Sequence, residues 1–529
     1  MNANTGAIRR ALARKTYLVS LSASLLLGAL VVGCGDDAPN NPSGSGTGAS
    51  GGTGGTGGMG GAGGGTGGTG MGGAGGTGGD GGAGGNGGAG GMGGAGGMGG
   101  AGGGGGSAEA KPVTVPISEM GHDRLYGVTF DAQGNIYATG NSAEGTAADA
   151  DFSTIVVKWL PSGELDATFG DKGIAKHNVA VGTNGEVTRG IVVQSTGKIV
   201  VAGTIEHAGA ADARDRDIAV TRFNADGTLD TSFGTNGVAL LDLSEGELVG
   251  NTYVADAHWG LNVYADDKLL VVGAQKAPGR TDTDFAAVRL SADGTSDNAF
   301  GTNGVALLDI AQQNASARGG RILADGSAIL SGYNRDADNI VSPVVYKLDS
   351  TGKLDATFGV GGVFNQIVLA SVAEVYDLVP QGSSFVTVGY GSNGGSDNLD
   401  WLSLRITGDG KLDATYGQNG YVRVDMAGQN DNARTMIALP DKRSLLVGGG
   451  RPTADNVDAM VAVLTENGAV DTTFAPNGWK QYDLGGVADM FWGAALSPDQ
   501  KHAAIVGTKS VGMGPGNDDG VLLLLPVGN

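Results

Sequence analysis

The chain has 529 residues, with 54 Asp and Glu against 33 Lys and Arg, a net charge of −21, 103 glycines and a single cysteine. This acidity argues against nucleic acid and anionic lipid surfaces as partners, because the phosphate attraction that dominates both becomes repulsion. A lone thiol cannot close an internal disulfide, so no disulfide framework holds the fold.

Residues 1–33 carry Arg9, Arg10, Arg14 and Lys15, no acidic residue, and then the apolar run "TYLVSLSASLLLGALVVG", which stops at "CGDD". The pattern predicts a secretory signal, too short and too abruptly ended for a bilayer span, with an uncleaved anchor as the alternative. The segment "LVVGC" resembles the bacterial lipoprotein box, a small residue directly before an acylated cysteine. The resemblance implies that Cys34 becomes the lipidated N-terminus, with several acyl chains giving stable membrane anchoring. Gly35, where an aspartate would favour inner-membrane retention, implies an outer-membrane or cell-surface location.

Residues 34–106 follow that cysteine and are almost wholly "GGTGGMGGAGG"-type triplets from about 44 onward. Too little apolar surface is present to offset the entropy of ordering them, so this stretch is predicted as a disordered tether reaching roughly 45 Å. Its many GxGxxG matches follow no strand and carry no nucleotide-binding signal. The total charge of −21 becomes −25 without the four leader cations, and −22 on residues 107–529 once Asp36, Asp37 and Asp80 are also left out.

From 107 to 529 the chain repeats. "LDATFGDKG" (165–173) returns five times, and its aromatic residues Phe169, Phe233, Phe300, Phe358, Tyr416 and Phe474 are spaced by 64, 67, 58, 58 and 58. Such a period signals a repeat architecture. Each unit holds four short β-branched runs, predicted as strands a to d. Strand a is read from "YGVTF" at 126, "RGIVV" at 189 and their equivalents, and strand b ends on Gly140, Gly203, Gly273, Gly332, Gly389, Gly448 or Gly507. There are seven a, b and c runs but only six motifs followed by a strand d, and the chain's last run, "GVLLLLPVGN", has none behind it. The missing strand is "VTVPIS" (113–118), whose Val113 precedes Tyr126 by 13 residues as Val305 precedes Arg318. The fold is therefore expected to be all-β, a seven-bladed β-propeller of four-stranded antiparallel blades closed by the N-terminal strand. The competing reading is an open β-solenoid, but its terminal units would be atypical caps rather than complementary fragments.

The units "STGKIVVAG", "DIAVTRFNADG" and "LDTSFGTNG", recurring in fixed order over about 112–529, resemble the bacterial delta-60 repeat. That resemblance implies a propeller and no defined activity. In the motif, the aspartate three residues before the aromatic is expected to form an Asx turn, the aromatic to plug the cleft between blades, and the closing glycine to take a positive φ.

With strand a running down and b up, the motif falls on the bottom face, and the long b–c loops and the d–a loops fall on the top, the candidate functional face. The residues entering the inner strands are Tyr126, Arg189, Trp259, Arg318, Tyr376, Arg434 and Trp492, alternating aromatic and arginine. They are expected either to form a platform for a planar or anionic ligand or to pack on one another between blades. Before strand c stand Asp149 and Asp151, Asp215 and Asp217, Asp282 and Asp284, and Asp336 and Asp338. Carboxylates two apart in an extended segment share a face and suit Ca²⁺; solvated charge at the strand start is the blander reading. The five histidines lack metal-ligand spacing, and the propeller has no GxSxG elbow and no cysteine. The two functions carried forward are a monomeric, membrane-anchored binding module for a glycan, peptide or protein, and a Ca²⁺-dependent hydrolase or lyase similar to the gluconolactonase-like propellers. For the second, only Asn262 and Asp377 offer amide or carboxylate ligands within the inner strands, at non-equivalent positions.

Overall fold

Short connections within each repeat force neighbouring strands to alternate in direction, and antiparallel pairing is what tight turns permit. The computed structural model describes residues 110–527 apart from 119–120, 146–149, 182–184, 208–214, 250–251, 427, 454–455 and 511–517. The leader, Cys34, the glycine-rich tether and Asp149 therefore lie outside the described residues. The first repeat is one sheet of Gly121–Phe130, Ile136–Glu144, Ser153–Trp159 and Ile174–His177, lettered a to d from the channel outward. The inner strands of blades 2 to 7 are Val187–Val193, Ala257–Val263, Ala315–Ile322, Val372–Gln381, Asn432–Ala438 and Met490–Leu496.

Blade 7 continues through His502–Lys509 and Asp519–Pro526, and its outer strand is Val113–Thr114, antiparallel with Val113 opposite Leu522 and Thr114 opposite Val521. The expected closure by the N-terminal strand is present. Val115 and Ile117, just beyond that strand, are buried in one cluster with Leu125 and Ile136 of blade 1 and Val506 and Leu522 of blade 7. The apolar core as a whole is a set of layers between blades: Leu270 and Phe285 of blade 3, for example, pack with Ala317, Leu330 and Val344 of blade 4. Strand b is buried on both faces, as in Leu269–Lys276, while strand a of the same blade is half-open to the channel.

Two sequence expectations need correction. Strand a does not begin at the aromatic or arginine residue but several residues earlier, and strand b does not end at its glycine but runs past it. Both errors have one cause, a β-bulge. In every blade two residues of strand a face one of strand b, and that one is the repeated glycine, as Leu125 pairs with Gly140 before the register resumes at Gly127. A Cβ at Gly140 would lie 1.8 Å from the Arg124 carbonyl oxygen, and one at Gly389 1.9 Å from that of Glu374, so no other residue fits there.

The LDATFG motif is an interblade joint. Asp166 Oδ1 accepts the backbone N–H and hydroxyl of Thr168, the expected Asx turn, while Oδ2 pairs with Lys158 at 2.9 Å. Arg222, Arg289 and Arg405 take the place of that lysine in blades 2, 3 and 5, each lying 4.6–5.0 Å over its motif's ring. From there each arginine donates to a backbone carbonyl of the following blade, at Ala292, Ser350 and Glu466. The motif glycine adds a main-chain link: Gly170 N–H donates to the Asp226 carbonyl of the next blade at 2.8 Å, and Gly234, Gly301, Gly359 and Gly417 repeat it. Phe169 is buried between Tyr137 and Val156 of blade 1 and Ile191 and Val201 of blade 2, and the closing Gly173 has φ of 100°.

The closure can be weighed directly. Replacing both Val115 and Ile117 with alanine should lower unfolding stability by about 3–5 kcal/mol, read by denaturant titration, because both methyl-rich side chains leave cavities in the seam. Val113→Ala, at a position 44% exposed, should stay within about 0.5 kcal/mol of the parent chain.

Candidate functional site

The unpaired residue of each bulge is the ring residue: Tyr126, Arg189, Trp259, Arg318, Tyr376, Arg434 or Trp492. A bulge re-aims its side chain, and here all seven line the central channel. In five blades the next residue is glycine, and this lets neighbouring inner strands approach closely. A Cβ at Gly127 would sit 2.1 Å from the Arg189 carbonyl oxygen, and one at Gly493 2.4 Å from that of Tyr126. Blades 5 and 6 carry Asp377 and Thr435 at this place instead.

The ring is closed by contact. The Arg189 guanidinium lies 5.4 Å from the Tyr126 ring and 4.7 Å from Trp259; Arg318 lies 3.8 Å from Trp259 and 5.0 Å from Tyr376; Arg434 lies 4.6 Å from Tyr376 and 4.7 Å from Trp492. The last pair, Trp492 with Tyr126, meets edge to face at 5.3 Å. Arg318 is buried and donates from Nε to Glu374 Oε1 at 2.7 Å, and Tyr390 holds the other Glu374 oxygen at 2.8 Å. Packing on one another, one of the two sequence expectations, is therefore what these side chains do. The ring still frames a space.

That space is a cavity of about 190 Å³ bounded by six of the ring residues, all but Tyr126, and by those following the ring in strand a, such as Leu261, Asn262, Arg321, Asp377 and Thr435. It lies on the a–b hairpin side of the ring, the bottom face and not the top face preferred from loop length. The stacked side chains fill the channel at their own level, and the glycines beyond them leave room. Four arginines, Arg189, Arg318, Arg321 and Arg434, line it against one carboxylate, Asp377. Asp377 Oδ2 accepts from Arg321 Nη2 and from the Thr435 hydroxyl, both at 2.8 Å, and Oδ1 accepts the Leu378 N–H. So held, Asp377 orients Arg321 and Thr435, and the cavity's character is cationic and polar on the side of blades 3 to 6.

Among the described residues, the paired aspartates before strand c do not share one arrangement. Asp336 Oδ1 closes an Asx turn with the N–H groups of Asp338 and Ile340, and Asp338 and Asp151 are exposed. Asp282 and Asp284 are both held by Arg280. Asp215 and Asp217 do come together, but with Asp242, which follows strand d (Val238–Leu241) of blade 2; two further groups, Asp400, Asp425 and Asp431, and Asp458, Asp483 and Asp489, share the strand-c acid and the acid after strand d but take their third member from just before strand a of the next blade. A carboxylate just after strand d, visible in "LLDL", "VRVD" and "KQYD", is the repeat signal that points to them.

A further set escaped the sequence reading. Three residues before the ring residue, blades 1, 2, 3, 6 and 7 carry the buried acids Asp123, Glu186, Asp256, Asp431 and Asp489. Each accepts backbone N–H groups of neighbouring loops: Asp256 takes those of Leu243 and Ser244, Glu186 those of Thr154 and Ala180, and Asp489 those of Leu484, Gly486 and Ser510. These carboxylates pin the top-face loops to the inner strands.

A family model described as "Domain of unknown function (DUF5122) beta-propeller" matches residues 194–233 and 265–300. No match was found among curated protein sequences. Similar solved structures include a glucose dehydrogenase (12% identity, 79% of this chain and 100% of that one, TM-score 0.38) and the polysaccharide lyase Uly1 (10%, 75% and 89%, 0.42). The β-propeller domain of the Trilobed protease from Pyrococcus furiosus is similar too (10%, 77% and 94%, 0.36). The chain carries a β-propeller; likeness at this level says nothing of what it binds.

The two classes of carboxylate pull stability in opposite directions with pH. Burial lifts Glu186 from an ordinary 4.5, and Asp256 from 3.8, to about 7, so the stability tied to them is full below those ordinary values and lost as pH rises towards 7. The motif's Asp166 and Asp355 are held down at about 2 by the hydroxyls of Thr168 and Thr357 and the ammonium groups of Lys158 and Lys347, so their contribution is lost as pH falls below 4. The melting temperature should therefore peak on the acid side of neutrality. Asp256→Asn, which keeps an acceptor for both N–H groups, should flatten the fall between pH 5 and about 8 in a thermal-melt series.

Proposed function

We propose that the chain is an anchored, extracytoplasmic binding module whose channel cavity takes a carboxylate-bearing sugar residue of an extracellular glycan. One observation carries this reading: four arginines against one carboxylate line a cavity inside a chain of net charge −21. An acidic protein that collects guanidinium groups around an internal space favours an anion there, and arginine pairs with carboxylates in a planar, bidentate fashion. The volume, about 190 Å³, is below that of a drug-sized pocket and suits a single sugar unit. Asn262 and Thr435 supply neutral polar groups to hydroxyls, and the ring closes the inner end of the cavity. In this reading lipidated Cys34 fixes the molecule to the outer membrane, and the tether of residues 34–106 carries the propeller clear of the surface.

Arg321 is the residue to change, since its side chain is 34% exposed in the cavity while Arg318 is locked against Glu374. Arg321→Ala should weaken binding of uronate oligosaccharides at least tenfold by calorimetry, with a smaller loss of stability than Arg318→Ala, since Asp377 keeps the Thr435 hydroxyl and the Leu378 N–H. Arg318→Ala should instead unfold the chain more easily, by about 3–5 kcal/mol, because Glu374 is left buried without its cation. No saturable binding by the parent chain across a panel of acidic glycans would sink the reading. For the anchor, labelling with a fatty-acid analogue should be lost in Cys34→Ala, and retained label in that variant counts against it.

A further inference from the structure

On the top face, away from the cavity, the repeat brings an aspartate at the start of strand c beside one just past strand d in four blades. The pairs are Asp217 with Asp242, Asp284 with Asp309, Asp400 with Asp425, and Asp458 with Asp483. Two carboxylates so placed repel, and three of the four blades show how the chain answers. In blade 3 a cation is built in: Arg280 reaches Asp282 at 2.8 Å, Asp284 at 2.5 Å and Asp309 at 3.0 Å. In blade 5 Arg423 engages Asp397 at 3.0 Å and Asp400 at 2.5 Å. In blade 6 the amide groups of Asn456 and Gln481 each donate to one oxygen of Asp458.

Among the described residues, blade 2 shows neither device. Asp217 is 98% buried, its Oδ2 is taken by His207 Nε2 at 2.7 Å, and its Oδ1 is buried with no hydrogen-bond donor among the described residues. An acceptor left so is costly, the more so when it is charged. Ligand oxygens of Asp215, Asp217 and Asp242 lie within 4.8 Å of one another. Ligands at about 2.3–2.6 Å from one ion can be that far apart, and three carboxylates with room for water suit the oxygen-rich, flexible coordination of Ca²⁺. Asp242 is exposed, which leaves a side open to water ligands, and the His207 hydrogen bond fixes the plane of the inner carboxylate.

We infer that blade 2 holds a Ca²⁺-class divalent cation between Asp215, Asp217 and Asp242, in the place that a guanidinium fills in blade 3. The ion ties strand c (Arg216–Phe223) to the segment after strand d, as Arg280 does one blade further on. The test is calorimetric titration of the full chain, freed of metal by a chelator, with Ca²⁺ alone. The parent chain should bind Ca²⁺ saturably and melt at a higher temperature with it. Asp242→Asn, at an exposed position, should remove one equivalent and most of that thermal shift, and Asp217→Asn should do the same. Asp284→Asn, at the place already filled by Arg280, should leave the stoichiometry unchanged. Absence of saturable binding in the parent chain, or an unchanged stoichiometry in Asp242→Asn, overturns the inference. Glycan binding by the cavity is a separate readout, so either proposal can fail alone.

Discussion

A closed ring of seven blades must join its last blade to its first, and everything near the axis answers to that requirement. Seven positions cannot alternate between two kinds of side chain all the way round; one pair of neighbours must be alike. Here the like pair is Trp492 and Tyr126, and it falls where blade 7 meets blade 1. Two aromatics meeting edge to face attract, whereas two guanidinium groups in that place would repel. The strand that completes blade 7, Val113–Thr114, comes from the other end of the chain and lies at the same junction. The main-chain closure and the side-chain closure thus coincide.

Away from the junction, the structure separates what repeats from what does not. The bulge, the glycine opposite it and the motif joint recur because each solves the same steric problem in every blade. Departures from the repeat are where polar groups gather: Asp377 and Thr435 replace the glycine after the ring residue, and Arg280, Arg423 or an amide pair settles the acidic place on the top face in different ways. Fold and chemistry are in this way assigned to different residues of the same strands.

The repeat count, the exchanged strand and the joint built by the LDATFG motif were legible in the sequence, because each is periodic and each rests on local chemistry: an Asx turn, a large ring, a glycine. The ring residues were legible as a set but not in depth. Strand a opens on polar or charged residues such as Asp123 and Arg124, so a search for β-branched runs starts it too late and misses the bulge. The glycine of strand b was the available sign. The cavity's position did not follow from loop length, since it depends on which side of the stacked ring the glycines fall. The acidic groups escaped because their members lie on different strands and loops, up to 31 residues apart for Asp400 and Asp431, and only the three-dimensional register brings them together.

The motif joint has a polarity that the symmetric look of a propeller hides. Each glycine N–H of blades 1 to 5 donates forward, to a carbonyl of the blade that follows it in the chain. In blade 6 the glycine is Ala475, no such forward bond is made among the described residues, and Phe474 is only half-buried where its five counterparts are fully so. The six leading blades therefore form a continuous arc, latched one to the next in the order of the chain. Blade 7 lies outside that series of latches and is held instead by buried side chains shared with blades 6 and 1 and by the exchanged strand.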